Sequence, residues 1–300
     1  MIRDVTGIRK IRMLYLQLLY RCNFSCLHCF HGERLKHADA FTAEEAIGLV
    51  RLMREDYGTE AVTLLGGEPF VHKELPEVVL RTRQELGMRV EICTNGYRIE
   101  RRLTELAPYV DLLRVSLEGV ATTNDAMRRQ GSYHAALSTL NLARELGVMT
   151  AATMTVTSRN IGEVLPLARI TQRFGVRQLK LHCLRPVGNA VRHPELVVGD
   201  PTVYTRLREE LRTAGLSIEV SLDEDLSENG APEICAPTGG PREIERIEAD
   251  PRGALTMSCK AVGKDAHAFW YEKAEGRIVH RPTATDELTL AVPDVVYARV

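Results

Sequence analysis

Short apolar runs alternate with segments of helical periodicity along the first two thirds of the chain. Runs with little polar interruption are typical of parallel strands that are covered on both faces. Between them, apolar residues recur every three or four positions, as on the buried side of a helix, and Thr42 offers an N-cap to the first such segment. The predicted strands are residues 13–20, 61–65, 88–93, 112–117, 150–156 and 178–184, and the predicted helices are residues 42–58, 74–86, 99–107, 133–146 and 161–174.

This alternation predicts an α/β fold in which parallel strands are joined by right-handed helical crossovers. In such folds the chemistry lies at the carboxyl ends of the strands. The pattern changes after Gly199, so we expect a main α/β domain over residues 1–198 and a small α+β extension over residues 199–300. The extension is predicted to contain a helix near residues 201–214, a strand near 217–221, and a β-hairpin of residues 244–249 and 254–258.

Composition and charge narrow the range of binding partners that the protein can have. The formal net charge of −1, from 39 Lys and Arg against 40 Asp and Glu, gives no general attraction to nucleic acid or to an anionic membrane. No segment has the shape of a signal peptide or the roughly 18 consecutive apolar residues of a membrane span. We therefore expect a cytoplasmic protein without nucleic-acid or membrane partners, whose seven cysteines are reduced thiols and metal ligands.

Three of the cysteines, Cys22, Cys26 and Cys29, follow the first predicted strand at CxxxCxxC spacing. Structural zinc is usually closed by four ligands, whereas iron-sulfur clusters are held by thiolates, so three thiols without a fourth nearby favour a cluster with one open iron. Two other interpretations remain at this point. One is a zinc site completed by His28 or His31, and the other is a set of buried apolar cysteines.

Three further motifs each follow a predicted strand: Gly66-Gly67-Glu68-Pro69, Thr94-Asn95-Gly96 and Ser116-Leu117-Glu118-Gly119. Together with CxxxCxxC and a ring side chain just before the third cysteine, their order resembles the motif series of the radical S-adenosylmethionine (SAM) superfamily. The resemblance covers about the first two thirds of the chain. It implies a partial (β/α)6 TIM barrel, a 4Fe-4S cluster on the three cysteines, and SAM as the ligand of the open iron.

The resemblance also implies roles for single residues. In the family, the glycine-rich turn holds the methionyl amino group of SAM, and the later motifs contact its ribose and methionine parts. We therefore expect a SAM site from the three motifs above, with His28 against the cofactor. The expected residues are Gly66, Gly67, Glu68, Thr94, Asn95, Ser116 and Glu118.

Two more segments resemble family elements that contact SAM. Residues 125–133 resemble a stretch whose arginine pairs with the SAM carboxylate, a bidentate role suited to a guanidinium. Arg128 is the candidate, and Arg129 is the alternative because the adjacent pair leaves the register open; a solvated arginine remains a third interpretation. Residues 185–189 resemble a segment whose backbone lies near adenine.

The C-terminal part resembles a truncated twitch or SPASM extension, because a hairpin signal lies between Cys235 and Cys259. Relatives use such extensions to hold auxiliary clusters. No cysteine follows Cys259, and two ligands are fewer than a cluster usually needs, although Cys183 or His267 would add one. We favour an extension without a cluster and keep an auxiliary cluster on Cys235 and Cys259 as the alternative.

The implied chemistry is reductive cleavage of SAM to a 5′-deoxyadenosyl radical that abstracts hydrogen from a substrate, with an electron donor such as flavodoxin or ferredoxin as partner. Cys183, Tyr97 and Arg185 are the candidate catalytic residues, with His182 a further pocket candidate, and Cys93 is expected to be a buried core thiol.

Only twenty-one residues precede Cys22, which leaves little room for a leader-binding domain. We therefore expect a small-molecule substrate, such as a sugar, nucleoside or amino-acid derivative, in the biosynthesis of a specialised metabolite or cofactor. Modification of a ribosomal peptide is the alternative. A non-catalytic metal- or cluster-binding scaffold or sensor is the alternative of another class.

Overall fold

The computed structural model describes residues 2–200, 202–222, 242–257 and 269–280. Their strands form one sheet in the order β11-β10-β9-β8-β1-β2-β3-β4-β5-β6-β7. All neighbouring pairs from β8 through β1 to β7 are parallel, and β9, β10 and β11 are antiparallel to their neighbours. The strands are β1 Ile8–Gln17, β2 Ala61–Leu65, β3 Arg89–Thr94, β4 Leu112–Ser116, β5 Met149–Val156, β6 Gln178–Cys183, β7 Glu219–Leu222, β8 Arg242–Ala249, β9 Ala254–Thr256, β10 Phe269–Glu272 and β11 Arg277–His280.

Helices connect the parallel strands β1 to β7, as the sequence predicts. Thr42 caps the longest of them with both hydrogen bonds of a capping box, shared with Glu45. None of the helices in the described part of the chain is long and apolar enough to cross a membrane. The helices are α1 Ile2–Thr6, α2 Ala43–Tyr57, α3 Leu75–Gln84, α4 Glu100–Leu106, α5 Ala121–Met127, α6 Ser132–Glu145, α7 Val164–Arg173 and α8 Thr202–Thr213.

The first strand corrects a prediction. We expected it at residues 13–20, but β1 starts at Ile8 and ends at Gln17. The charged residues Arg9, Lys10 and Arg12, none of which is buried, interrupt the apolar pattern and hide the first half of β1 from an analysis of apolar runs. Its early start gives β8 a partner along seven residues of parallel register.

In β4 and β6, apolar side chains pack against the helices on one face and polar side chains line a cavity on the other. In β4, Leu113 and Val115 are fully buried against the helices, while Arg114 and Ser116 between them line an internal cavity. The strand β6 repeats this alternation with Lys180 and His182 facing the cavity. The period of two therefore directs the polar residues of each strand inward, towards a site instead of towards bulk water.

The strands that follow Gly199 continue the same sheet. β7 adds to β6 at one side, and β8 adds to β1 at the other. The predicted hairpin is confirmed, since β8 and β9 pair antiparallel around a turn at residues 250–253. The boundary between residues 198 and 199 stays a prediction, and β10 and β11 were not predicted.

Candidate functional site

A cavity of about 410 Å³ opens at the carboxyl ends of the parallel strands. It is lined by side chains from the loop that follows β1 and from β2, β3, β4, β5, β6 and β8. All of the predicted metal and SAM residues of the main domain line it. They are Cys22, Cys26, Cys29, His28, Gly66, Gly67, Glu68, Thr94, Asn95, Ser116, Glu118 and Arg128.

The cysteine loop is irregular backbone that is held by the turn after β2. The amide of Gly67 donates to the Leu19 carbonyl at 2.8 Å, and the amide of Glu68 donates to the Arg21 carbonyl at 3.1 Å. A Cβ on Gly67 would lie 2.2 Å from the carbonyl oxygens of Tyr20 and Arg21. Only glycine permits this approach, so the glycine-rich turn first of all positions the loop that carries the thiols.

The segment after β6 holds the other side of the loop. The Asn189 amide donates to the Cys29 carbonyl at 2.8 Å, and its side-chain amide donates to the Cys26 carbonyl at 2.9 Å. Gly188, with φ of 61°, would bring a Cβ within 2.4 Å of the Cys29 and Phe30 carbonyl oxygens. Residues 185–189, the segment expected near adenine, therefore contact the cysteine loop directly through Asn189. Arg185 at its other end lines the cavity.

The three thiols sit in a dry environment. Burial raises the pKa of Cys22 to about 12 and that of Cys26 to about 11, and it also raises the pKa of Cys29. Thiols in such surroundings give up their protons only to a metal that takes the proton's place. Among the described residues, no group of three His, Cys, Asp or Glu side chains is placed to hold a single metal ion.

Glu118 lies at the centre of a buried network above β4. Its Oε1 accepts from Arg128 Nη2 at 2.9 Å and pairs with His28 Nε2 at 3.1 Å, and its Oε2 accepts from the Thr155 amide at 2.7 Å. Burial alone would raise its pKa, but the charges and hydrogen bonds of His28 and Arg128 lower the pKa of Glu118 to about 2. Glu118 therefore stays ionised and fixes both side chains at the cavity wall.

The adjacent arginines have different surroundings. Arg128 lines the cavity and is nearly buried, with its side chain 10% exposed. Arg129 is exposed, and its guanidinium lies over the rings of Tyr97 and Phe24 at 4.7 and 5.7 Å from their centroids. The geometry thus favours Arg128 over Arg129 as the arginine of the SAM site.

Glu68 makes only internal hydrogen bonds in this structure. It accepts from the Phe70 amide at 3.1 Å, the Thr94 hydroxyl at 2.8 Å and the Asn95 amide at 2.7 Å. Asn95 in turn donates to the Asn23 side chain at 2.7 Å, next to Cys22. This chain of contacts links two of the predicted motifs to the cysteine loop, and a role of Glu68 towards an ammonium group stays a prediction.

The three candidate catalytic residues do not all reach the cavity. Cys183 and Arg185 line it, as does His182. Tyr97 is not among the residues that line it, because its ring packs edge-on against Phe24 under Arg129.

Cys93 corrects a further expectation. It is half-buried and lines the cavity, because the alternation of β3 turns it to the same face as the inward residues of β4.

Several cavity residues were missed. Arg114, Thr153 and Lys180 project from the middle of β4, β5 and β6, and Arg246 and Glu248 project from β8. The charged positions inside otherwise apolar runs of β4 and β6 were the available signal. Arg246 and Glu248 offered none, since nothing in the sequence pairs β8 with β1. The predicted residues Cys235, Cys259 and His267 lie outside the described residues.

The fold and site define an α/β barrel that places three buried thiols, the candidate cluster ligands, at the carboxyl ends of its strands. The chain belongs to the Radical SAM superfamily, whose family model matches residues 16–169. Enzymes of this superfamily use a 4Fe-4S cluster and SAM, and both are therefore cofactors of this chain. The three thiols in their dry loop fit the cluster, since soft thiolates are its usual ligands. The scaffold hypothesis is not supported.

Curated relatives match part of the chain. The Fe-coproporphyrin III synthase of Methanosarcina barkeri is 32% identical over 148 residues, which is 48% of this chain and 37% of the relative. A probable GTP 3′,8-cyclase of Saccharolobus islandicus is 29% identical over 60% of this chain and 59% of its own length. The mycofactocin maturase MftC of Mycobacterium tuberculosis is 32% identical over 57% of this chain and 44% of its own. The chain spans less than two thirds of each of these relatives.

Solved structures share the fold at low identity. Streptococcus suis SuiB bound to S-adenosylmethionine aligns with a TM-score of 0.72 at 15% identity, covering 98% of this chain and 69% of SuiB. The enzyme anSMEcpe with bound AdoMet aligns with a TM-score of 0.64 at 13% identity, covering 94% of this chain and 80% of its own. The predicted partial TIM barrel is thereby confirmed.

Proposed function

We propose that the chain cleaves SAM reductively and uses the resulting radical to abstract hydrogen from a small molecule, such as a sugar, nucleoside or amino-acid derivative, in the biosynthesis of a specialised metabolite or cofactor. One observation carries the proposal. The three thiols, the glycine-rich turn and the Glu118 network all border one cavity. Its volume of about 410 Å³ lies within the range of small-molecule pockets, about 300–1,000 Å³.

The cluster and SAM, when bound, supply the electron transfer and the reactive radical. The chain's own residues hold and orient them. Cys22, Cys26 and Cys29 would ligate the cluster, and Arg128, fixed by Glu118, would offer its guanidinium to the SAM carboxylate. The buried wall keeps water from the reacting atoms. An external electron donor such as flavodoxin or ferredoxin is part of this proposal.

Net oxidation of the substrate is not required by this arrangement. Cys183 lies at the end of β6 on the cavity wall, where a thiol suits return of a hydrogen atom to a substrate radical; one electron from the external donor and a proton would then restore the thiol. A redox-neutral rearrangement, a carbon–carbon bond formation or an epimerisation then fits better than oxidation, provided that Cys235 and Cys259 hold no auxiliary cluster.

Modification of a ribosomal peptide is the second candidate function. It is favoured by the likeness to MftC, named as a mycofactocin maturase, and by the fold shared with SuiB, which was crystallised with the precursor peptide SuiA. The two candidates differ in the size of the substrate that must reach the cavity.

Anaerobic reconstitution with iron and sulfide, followed by SAM and dithionite, tests the first step. We expect about four irons per chain and formation of 5′-deoxyadenosine. Cys26→Ala should lose both the iron and the formation of 5′-deoxyadenosine. Cys93→Ala removes a thiol from the same cavity but not from the cysteine loop, so it should keep its iron. Full iron binding without SAM cleavage in the unaltered protein would refute the proposal. About eight irons would place an auxiliary cluster on the extension.

A second experiment distinguishes a small-molecule substrate from a peptide substrate. The low-molecular-weight and peptide fractions of an extract are added separately, and 5′-deoxyadenosine is measured for each. Stimulation by the small molecules alone supports the first candidate, and stimulation by the peptides alone supports the second.

A further inference from the structure

The floor of the cavity carries cationic side chains that the SAM site does not use. Arg114, Lys180 and Arg246 line the same cavity as the thiols but belong to the middle of their strands. Arg114 precedes Ser116 by two residues on β4, which places its Cα about 7 Å further from the carboxyl end of the strand. Arg114 therefore lies one layer below Ser116, whereas Lys180 pairs in register with Thr153, which is level with Ser116.

Two buried donors on the neighbouring strands β4 and β5 have no partner among the described residues. Within the described residues, neither Nη1 of Arg114 nor the hydroxyl of Thr153 makes a hydrogen bond, although both atoms are shielded from solvent. The two strands are neighbours in parallel register, with Arg114 opposite Ala151 and Ser116 opposite Thr153. Burying a guanidinium nitrogen or a hydroxyl without a hydrogen-bond acceptor costs free energy. Since both groups lie on a cavity wall, we infer that an oxygen of a bound ligand accepts their hydrogen bonds.

The charge of the lining favours an anion. Among the described residues that line the cavity there are five Arg and Lys side chains against three Glu side chains, and one of those glutamates, Glu118, is already paired with Arg128. The cluster with its thiolates and SAM carry opposite net charges, so together they leave this excess of cations in place. A neutral ligand would satisfy the donors but not the charge.

We propose that Arg114 and Thr153 form an anion subsite in the cavity floor that binds a carboxylate or phosphate group of the substrate, with Lys180 and Arg246 adding to its positive field. The inference rests on the proposed function, because it assigns the substrate to the cavity that would also hold SAM. A planar guanidinium matches the paired oxygens of either group. The substrate is then an acidic small molecule or a phosphorylated one.

Calorimetry on the reconstituted, SAM-bound enzyme under anaerobic conditions tests the subsite, with inorganic phosphate and acetate as separate probes. We expect one site per chain for at least one probe. Arg114→Gln should weaken binding about ten- to hundredfold, since hydrogen bonds to charged groups have this strength. Thr153→Val should weaken it several-fold, and Arg114→Lys should retain part of the affinity because it keeps the charge. The stronger probe identifies the group.

Arg101→Gln is the matched control, because the Arg101 side chain is 87% exposed on α4. It should bind both probes as the unaltered enzyme does. The proposal is overturned if neither probe binds, if Arg114→Gln binds them equally well in a folded protein, or if the probes compete with SAM. If the unaltered enzyme binds the probes through Arg114 but forms no 5′-deoxyadenosine, the radical function fails and the subsite stands.

Discussion

Replacement of Arg128 by methionine removes a permanently charged partner of a fully buried carboxylate. Glu118 is 1% exposed, and its pKa of about 2 lies below its ordinary value of 4.5. At 1.36 kcal/mol per pKa unit, the folded surroundings stabilise the charged form by about 3 kcal/mol. Breaking a buried ion pair by removal of one partner costs about 3–5 kcal/mol. We expect Arg128→Met to lower the free energy of unfolding by that amount at pH 7.

The pKa of Glu118 also predicts how the loss of stability in Arg128→Met should change with pH. With Arg128 present, the lowered pKa of Glu118 adds stability above pH 4.5 that is lost only as the pH falls towards 2. Without Arg128, burial is opposed by His28 and the Thr155 amide alone, so we expect this pKa to rise above its ordinary value. The ionised carboxylate is then a cost at neutral pH, and protonation relieves it. The deficit of Arg128→Met should therefore shrink as the pH falls from 7 to 5, whereas the unaltered protein gains nothing from Glu118 over that range.

Urea unfolding of the metal-free protein in reducing buffer, followed by circular dichroism, measures both effects. Arg129→Met is the matched control, because Arg129 is exposed and its contacts within the described residues are the Asn23 carbonyl and two rings, so it should cost about 1 kcal/mol or less. The double variant Arg128→Met with Glu118→Leu should recover most of the loss. Equal losses for the two arginines, or a deficit that does not change with pH, would refute the assignment of the network.

Two further substitutions test the scaffold around the loop. Gly67→Ala should destabilise the protein by about 1–3 kcal/mol and reduce the iron content after reconstitution, because its Cβ would meet two carbonyl oxygens at 2.2 Å; Gly162→Ala, with nothing within 4 Å, should do neither. Thr42→Ala should cost about 1 kcal/mol in urea unfolding through loss of the capping box with Glu45. An equal loss in Thr104→Ala, an exposed helical threonine, would contradict this explanation.

The strand–helix order was predictable because the physical signals are local. Apolar runs, helical periodicity and the Thr42 cap each lie within one element, and five of the six barrel strands begin and end within about two residues of the predicted positions. The motif residues were predictable for a related reason. Parallel strands bring their carboxyl ends to one edge, so motifs far apart in the sequence must meet there.

The remaining features depend on partners that are distant in the sequence. The pairing of β8 with β1 brings Arg246 and Glu248 to the cavity, and the sequence between these strands contains no signal for it. The inward direction of Cys93 depends on which face of β3 meets the helices. A run of residues that is apolar on both faces does not show which face that is. The Glu118 network was missed because its three side chains come from separate segments.

The cysteine loop is irregular, yet contacts from four segments of the chain fix its backbone. The Gly67 amide holds its first residues, the Met127 carbonyl accepts from the Leu27 amide at 2.9 Å, and Asn189 holds the Cys26 and Cys29 carbonyls. After β8, Asp250 accepts a hydrogen bond from Tyr20 at 3.0 Å. These contacts join protein groups and use none of the three thiols. The surrounding fold therefore constrains the loop backbone in addition to any cluster bonds, in contrast to small zinc domains that fold only around their metal.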